Sequence, residues 1–241
     1  MRRGASPPGV LLSDPTMIIS VHLPKTAGKS FEAALRTRFE GALLEDYGTF
    51  PMNTPPLQRC RAALQASLAN VDASFAGVEC IHGHFLPLKY LLLSVSRELT
   101  FVTWVRHPVQ RMISNYHYWQ RTYEAATARP LHRRMVEEQW SLERFCLGDE
   151  MRNMYSHFLW GFPVDNFAFI GVTEHYDEDL AYFAQRYLGG PVPSQRLNVG
   201  SAAGQEYEID PGLRRRVEAF HARDMALYDH ALESRAARPP L

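Results

Sequence analysis

A chain of 241 residues, 46% of them hydrophobic, is long enough to bury one large core, and it holds no internal repeat or low-complexity tract that would divide it. Its 26 basic residues balance 26 acidic ones, so no global field draws it to nucleic acid and an anionic ligand has to be held by local charge. Cys60, Cys80 and Cys146 are few, odd in number and widely spaced, which argues for reduced thiols and against a disulfide scaffold.

Residues 1–16 carry only the short apolar patch Val10-Leu11-Leu12, too short for a signal core, and no run elsewhere approaches the ~18 residues of a membrane span. The expectation is a cytoplasmic protein with a flexible segment 1–16 and one domain over 17–233. The first element is the β-branched run Met17–Val21, a buried-strand pattern, and Phe31, Ala34, Leu35 and Phe39 then recur at helical spacing. Between them lies His22-Leu-Pro-Lys-Thr-Ala-Gly-Lys-Ser30. Ala27 and Gly28 let the backbone approach a ligand, so the amides of Thr26, Ala27, Gly28, Lys29 and Ser30 can point at one anion from the positive end of the new helix. Lys25 and Lys29 add mobile charge. Gly28-Lys29-Ser30 supplies the second half of a Walker A loop, but Leu23 stands where its first glycine belongs, and Pro24 stiffens the turn.

Asp46 to Pro56 mixes Gly, Pro, Asn and aromatics without a period and reads as a loop. Gly77-Val-Glu-Cys-Ile-His82-Gly-His84-Phe-Leu-Pro87 is a short apolar strand ending in two imidazoles, at the sheet end where open α/β folds bind ligands. Two histidines without a third ligand make an incomplete zinc site. A neutral imidazole, such as that of His82 or His84, is, however, suited to take a proton from a hydroxyl.

Phe101–Val105 is again β-prone and apolar, and Pro108 opens a helix whose Val109, Met112, Ile113 and Tyr116 share one face. A P-loop kinase needs an Asp at the end of this strand to hold magnesium; here the strand ends in Arg106. Arg106 and Ser114 offer the cationic fork and hydroxyl that a phosphate needs, while Arg111 reads equally as a member of a surface ion pair. Arg121, Arg129, His132, Arg133 and Arg134 follow in a segment that Pro130 interrupts. Glu150–Gly161 reads as an aromatic helix, Phe167–Val172 as a strand, and Leu180, Phe183, Ala184, Tyr187 and Leu188 as one helical face capped by Gly189 and Gly190. Arg196–Gly204, with Asn198, is a small-residue loop. Asp210 and Pro211 start a final helix with Leu213, Val217, Phe220 and Leu227 inward, and 234–241 reads as a frayed tail.

The string from His22 to Ser30 resembles the 5′-phosphosulfate loop of sulfotransferases, specifically the family that includes heparan sulfate 2-O-sulfotransferases and bacterial carbohydrate sulfotransferases. Lys29 departs from it, since that family more often has Thr or Ser there. Arg106-His-Pro-Val-Gln-Arg111-Met-Ile-Ser114-Asn-Tyr116 resembles its 3′-phosphate motif, with His107 in place of the usual Asp. His82-Gly83-His84 resembles the string that carries its base, which implies His84 as the base for the acceptor hydroxyl and His82 as its helper or as a contact to the acceptor, and Thr173-Glu174 leading to Leu180 resembles a further recurring feature. The likeness spans roughly residues 17–200. It implies a single-domain, three-layer P-loop α/β fold around a mainly parallel sheet, and 3′-phosphoadenosine 5′-phosphosulfate (PAPS) as co-substrate without a metal. It also implies transfer of a sulfuryl group to a hydroxylated acceptor, a glycan first and a tyrosine or natural product next. A small-molecule P-loop kinase is the competing reading, and a nucleotide-binding module without catalysis the third.

Overall fold

Strand β1 (Met17–Val21) is buried along its whole length because it runs through the middle of a sheet covered on both faces. The computed structural model describes residues 16–49, 53–194 and 206–241. After β1 come α1 (Gly28–Phe39), β2 (Leu43–Asp46), α2 (Pro56–Asn70), β3 (Cys80–Gly83), α3 (Leu88–Leu91) and β4 (Leu99–Val105). Then follow α4 (Pro108–Arg121), α5 (Pro130–Glu137), α6 (Leu142–Cys146), α7 (Met154–Phe158), β5 (Phe167–Val172), α8 (Tyr176–Tyr187), α9 (Pro211–Phe220) and α10 (Ala222–Ala236). The strands form one sheet in the order β2-β3-β1-β4-β5, every pair parallel. This is the single-domain α/β architecture expected from the alternation of strands and helices.

The two-residue period of β1 divides the core between the two faces. Met17, Ile19 and Val21 join Phe101, Val105, Tyr155, Phe158 and Tyr228 on one side, and Ile18 joins Phe31, Leu35, Trp104, Leu180 and Phe183 on the other. Helices α4, α5, α6 and α9 enclose a third cluster around Val109, Met112, Phe145 and Val217. The chain leaves β1 toward β2 at one edge and leaves β4 toward β5 at the other. The carboxyl ends of β1 and β4 therefore flank a topological switch point, where an open parallel sheet leaves a crevice for ligand.

Several elements depart from the sequence reading. Edge strand β2 and helix α2 were hidden: β2 is half exposed, and α2 buries only Arg59, Ala63 and Ser67, so neither shows an apolar period. Pro130 opens α5 at its first turn instead of interrupting a segment. The single helix expected over 150–161 is broken at Asn153, which adopts a left-handed conformation (φ 47°), and Asp224 accepts the amides of Tyr155 and Ser156 at the start of α7. The final helix is likewise two. His221 leaves helical geometry and turns inward, its Nε2 bonding the Cys146 carbonyl at 2.8 Å. Within the stretch expected to fray, α10 runs on to Ala236, and Arg235 and Arg238 reach back to the buried carboxylate of Asp179 at 2.8 and 2.6 Å. The small-residue loop 196–204 lies outside the described residues, as do residues 1–15. Among the described residues, no helix is long and apolar enough to cross a membrane.

Candidate functional site

The β1–α1 turn is shaped by two non-glycine residues in left-handed conformation, Lys25 (φ 68°) and Ala27 (φ 62°), a costly geometry for residues bearing a Cβ. Thr26 folds its hydroxyl back onto the Leu23 carbonyl at 2.7 Å. The cup of amides is smaller than the sequence suggested. The N–H of Ser30 is spent on the Ala27 carbonyl at 3.0 Å, and that of Phe31 on the same oxygen at 3.1 Å. Ser30 therefore offers no amide to a ligand, and the amides left to do so are those of Thr26, Ala27, Gly28 and Lys29, ahead of the first intrahelical bonds.

The two lysines of the turn part company. Lys25 leans across the switch point, its ammonium 4.0 Å from the centroid of the Tyr118 ring on α4. Burial, with Arg121 and Arg106 nearby, lowers its pKa to about 8. Three cations thus crowd the mouth of the β1/β4 crevice, and among the described residues none of them forms an ion pair. Lys29 turns the other way and pairs with the buried carboxylate of Glu32 at 2.8 Å. It is committed to its own helix rather than left as a mobile charge over the loop.

Arg106 is fixed by its backbone. The Tyr155 hydroxyl receives the Arg106 N–H at 2.9 Å and donates to the Arg106 carbonyl at 2.7 Å. Glu174 accepts the next amide, that of His107, at 2.9 Å, and burial raises its carboxyl above the usual range. Glu174 therefore caps the start of α4 beside Arg106. Ser114 lies buried on α4, on the same strand–helix unit as Arg106, and no bond among the described residues joins it to Arg106 or Lys25. Arg111 is fully buried, against the sulfurs of Met112 and Met154 and 5.3 Å from the Tyr155 ring centroid. Its burial rules out the surface ion pair that the sequence also allowed.

On the β3 side of the turn the histidines gather, and a third joins them that the sequence did not single out. His22 lies between His82 and His84, ring centroids 5.1 Å from the first and 4.2 Å from the second. His22 stands in the phosphate loop itself, so the motif contained it, but nothing in the spacing assigned it a role. Gly28 is what makes room: a Cβ there would fall 1.6 Å from Nε2 of His22, so only glycine lets the ring lie against the start of α1. His82 is buried, its Nδ1 2.8 Å from the Ser20 hydroxyl and its Nε2 without a partner. Burial takes its pKa down to about 3, so it stays neutral. His84 is less enclosed. Its Nδ1 lies 2.5 Å from the His22 carbonyl, and a carbonyl only accepts, so Nδ1 carries the proton and Nε2 keeps a lone pair. Burial holds the His84 pKa below that of a free imidazole. Among the described residues, no three metal-ligating side chains are grouped to hold an ion.

No protein-family model matches this sequence, and no curated protein does. Among the solved structures that resemble the chain are two sulfotransferases. A sulfotransferase from Alicyclobacillus acidocaldarius is 14% identical over 92% of this chain and 97% of its own, with a TM-score of 0.47. Mouse sulfotransferase SULT7A1, complexed with PAP, is 11% identical over 92% of this chain and 90% of its own, with a TM-score of 0.46. Likeness this distant carries no chemistry across, and function has to be argued from the residues.

Proposed function

We propose that this protein is a sulfotransferase that moves a sulfuryl group from PAPS to an acceptor hydroxyl. The observation that carries the reading is the charge at the switch point: a phosphate loop faces a strand that ends in Arg106, with Lys25 and Arg121 beside it. A kinase would place an acidic metal ligand at that strand end. A donor with phosphates at both its 5′ and 3′ positions asks instead for cations on both sides of the crevice.

In this reading the amides of residues 26–29 and Lys25 hold the 5′-phosphosulfate, and Arg106 with Ser114 holds the 3′-phosphate. The acceptor oxygen attacks sulfur in line with the bridging oxygen, and the bond from sulfur to that oxygen breaks. Lys25 offsets the charge that develops on the leaving phosphate, and His84 takes the acceptor's proton on Nε2. His82, neutral and enclosed, supports the packing of the histidine group. Lys29 acts through Glu32 and does not need to touch the donor. The acceptor as a glycan hydroxyl, and a reducing cytoplasmic setting in which Cys60, Cys80 and Cys146 stay thiols, rest on the sequence resemblance and the free cysteines.

The donor assignment is tested by thermal shift. PAP at about 100 times its Kd should stabilise the fold by about 2.7 kcal/mol, while ATP with magnesium stabilises it weakly or not at all. Stronger stabilisation by ATP and magnesium would establish the kinase reading instead.

A further inference from the structure

The histidine group is wired to a carboxylate by a line of hydrogen bonds that crosses three segments. Glu32, one turn into α1, accepts the Tyr47 hydroxyl proton at 2.8 Å. Tyr47 follows edge strand β2, and its oxygen lies 2.9 Å from Nδ1 of His22. Tyr47 has one proton, and it goes to Glu32, so toward His22 the phenol oxygen is the acceptor and His22 Nδ1 is the donor. The direction is firm at both ends. Burial opposes the charge on Glu32, but bonds from Lys29 and Tyr47 outweigh it and keep the carboxyl below its usual range. Burial and Glu32 push the Tyr47 phenol above its own.

The ring that this line fixes belongs to the residue whose carbonyl receives Nδ1–H of His84, and the two rings lie against each other, tilted by 30° with centroids 4.2 Å apart. We propose that His22 is the positioning residue of the site: Glu32 and Tyr47 lock its ring, its N–H on the Gly83 carbonyl at 2.8 Å holds its backbone, and its own carbonyl in turn holds His84 in the Nδ1–H form with the lone pair left on Nε2. This inference rests on the sulfotransferase reading for its purpose, but not for its geometry. The tautomer matters because in free histidine the proton sits more readily on the other nitrogen, and an Nε2–H imidazole cannot accept a proton at that atom. Burial is the largest influence against a proton on either ring, and the charged and titratable neighbours add to it or oppose it. Lys29 and Lys25 disfavour a proton on His22, as do His82 and His84. Lys29 disfavours one on His84, with Glu32 opposing it. From α7 the group facing His84 is the Phe158 ring, which carries no charge.

The test reads tautomers directly. Long-range 1H–15N correlation spectra of the full chain labelled with 15N-histidine, assigned with His22→Gln and His84→Asn, should show both residues protonated on Nδ1 and bare on Nε2 near neutral pH. In Tyr47→Phe the His22 Nδ1–H signature should be lost, and an Nε2–H population should appear at His84. Glu32→Gln should shift the same two residues without removing Tyr47, and it serves if the phenylalanine variant unfolds. An Nε2–H form of His84 in the unmodified protein, or unchanged spectra in a folded Tyr47→Phe or Glu32→Gln variant, would overturn the proposal. PAP binding by calorimetry, run on the same samples, reports separately on the sulfotransferase reading: failure to bind PAP would remove that reading while leaving the tautomer result to decide this one.

Discussion

Arg106→Ala should weaken PAP binding by about 2–4 kcal/mol, the scale for truncating one partner of a desolvated charge pair, or roughly 30- to 900-fold in Kd. The fold should survive, because the Tyr155 hydroxyl clamps the backbone of residue 106 and not its side chain. Calorimetry with PAP is the measurement, and near-normal affinity in the variant would move the 3′-phosphate away from β4. Lys29→Thr serves as the internal contrast. Its ammonium is already paired with Glu32, so its loss should leave PAP affinity within a few-fold of normal, whereas a Walker-type loop would depend on it.

The same cation cluster gives the affinity a pH dependence with a definite sign. Burial and two neighbouring guanidinium groups hold Lys25 near a pKa of about 8 in the free protein. A bound polyanion favours the charged ammonium and raises that value. Binding below pH 8 therefore finds Lys25 already charged, while above it a proton must be taken up from solution. PAP affinity should fall as pH rises through about 8, and calorimetry at alkaline pH should record proton uptake. A flat profile from pH 7 to 9 would separate Lys25 from the anion.

What the sequence disclosed of this site follows from how its parts are laid out along the chain. The phosphate loop, the strand ending in Arg106 and the histidine pair are each contiguous, and each sits at a strand end where one parallel sheet brings them together. Arg121 was visible only as one member of a basic stretch, since its approach to Lys25 depends on how α4 crosses the end of β1. The Glu32–Tyr47–His22 line was not legible as a whole, because it joins three segments and Tyr47 lies in a stretch without period. Part of it could have been found: Lys29 and Glu32 are spaced i, i+3, the distance at which opposite charges meet on a helix, and that pairing alone argues against a free Lys29. The fate of the Ser30 amide depends on the left-handed Ala27, which no propensity for alanine foretells.

His84→Ala should leave PAP binding and the melting temperature close to normal and lower turnover by about two to four orders of magnitude, the range for loss of a positioned general base. The ring is partly exposed at the edge of the core, and its one hydrogen bond goes to the His22 carbonyl, so little packing is lost with it. In the unmodified protein the sign with pH is fixed by the direction of the shift. Burial lowers the His84 pKa, and although the bond to His22 works against it, the value stays below that of a free imidazole. The acidic limb of turnover, where Nε2 gains a proton, should therefore lie at lower pH than a free imidazole would give. The acidic limb should vanish in His84→Ala, leaving a low and flat profile. Two results would sink the assignment: near-normal turnover in His84→Ala beside an inactive, folded His82→Ala, or an acidic limb that persists unchanged once His84 is gone.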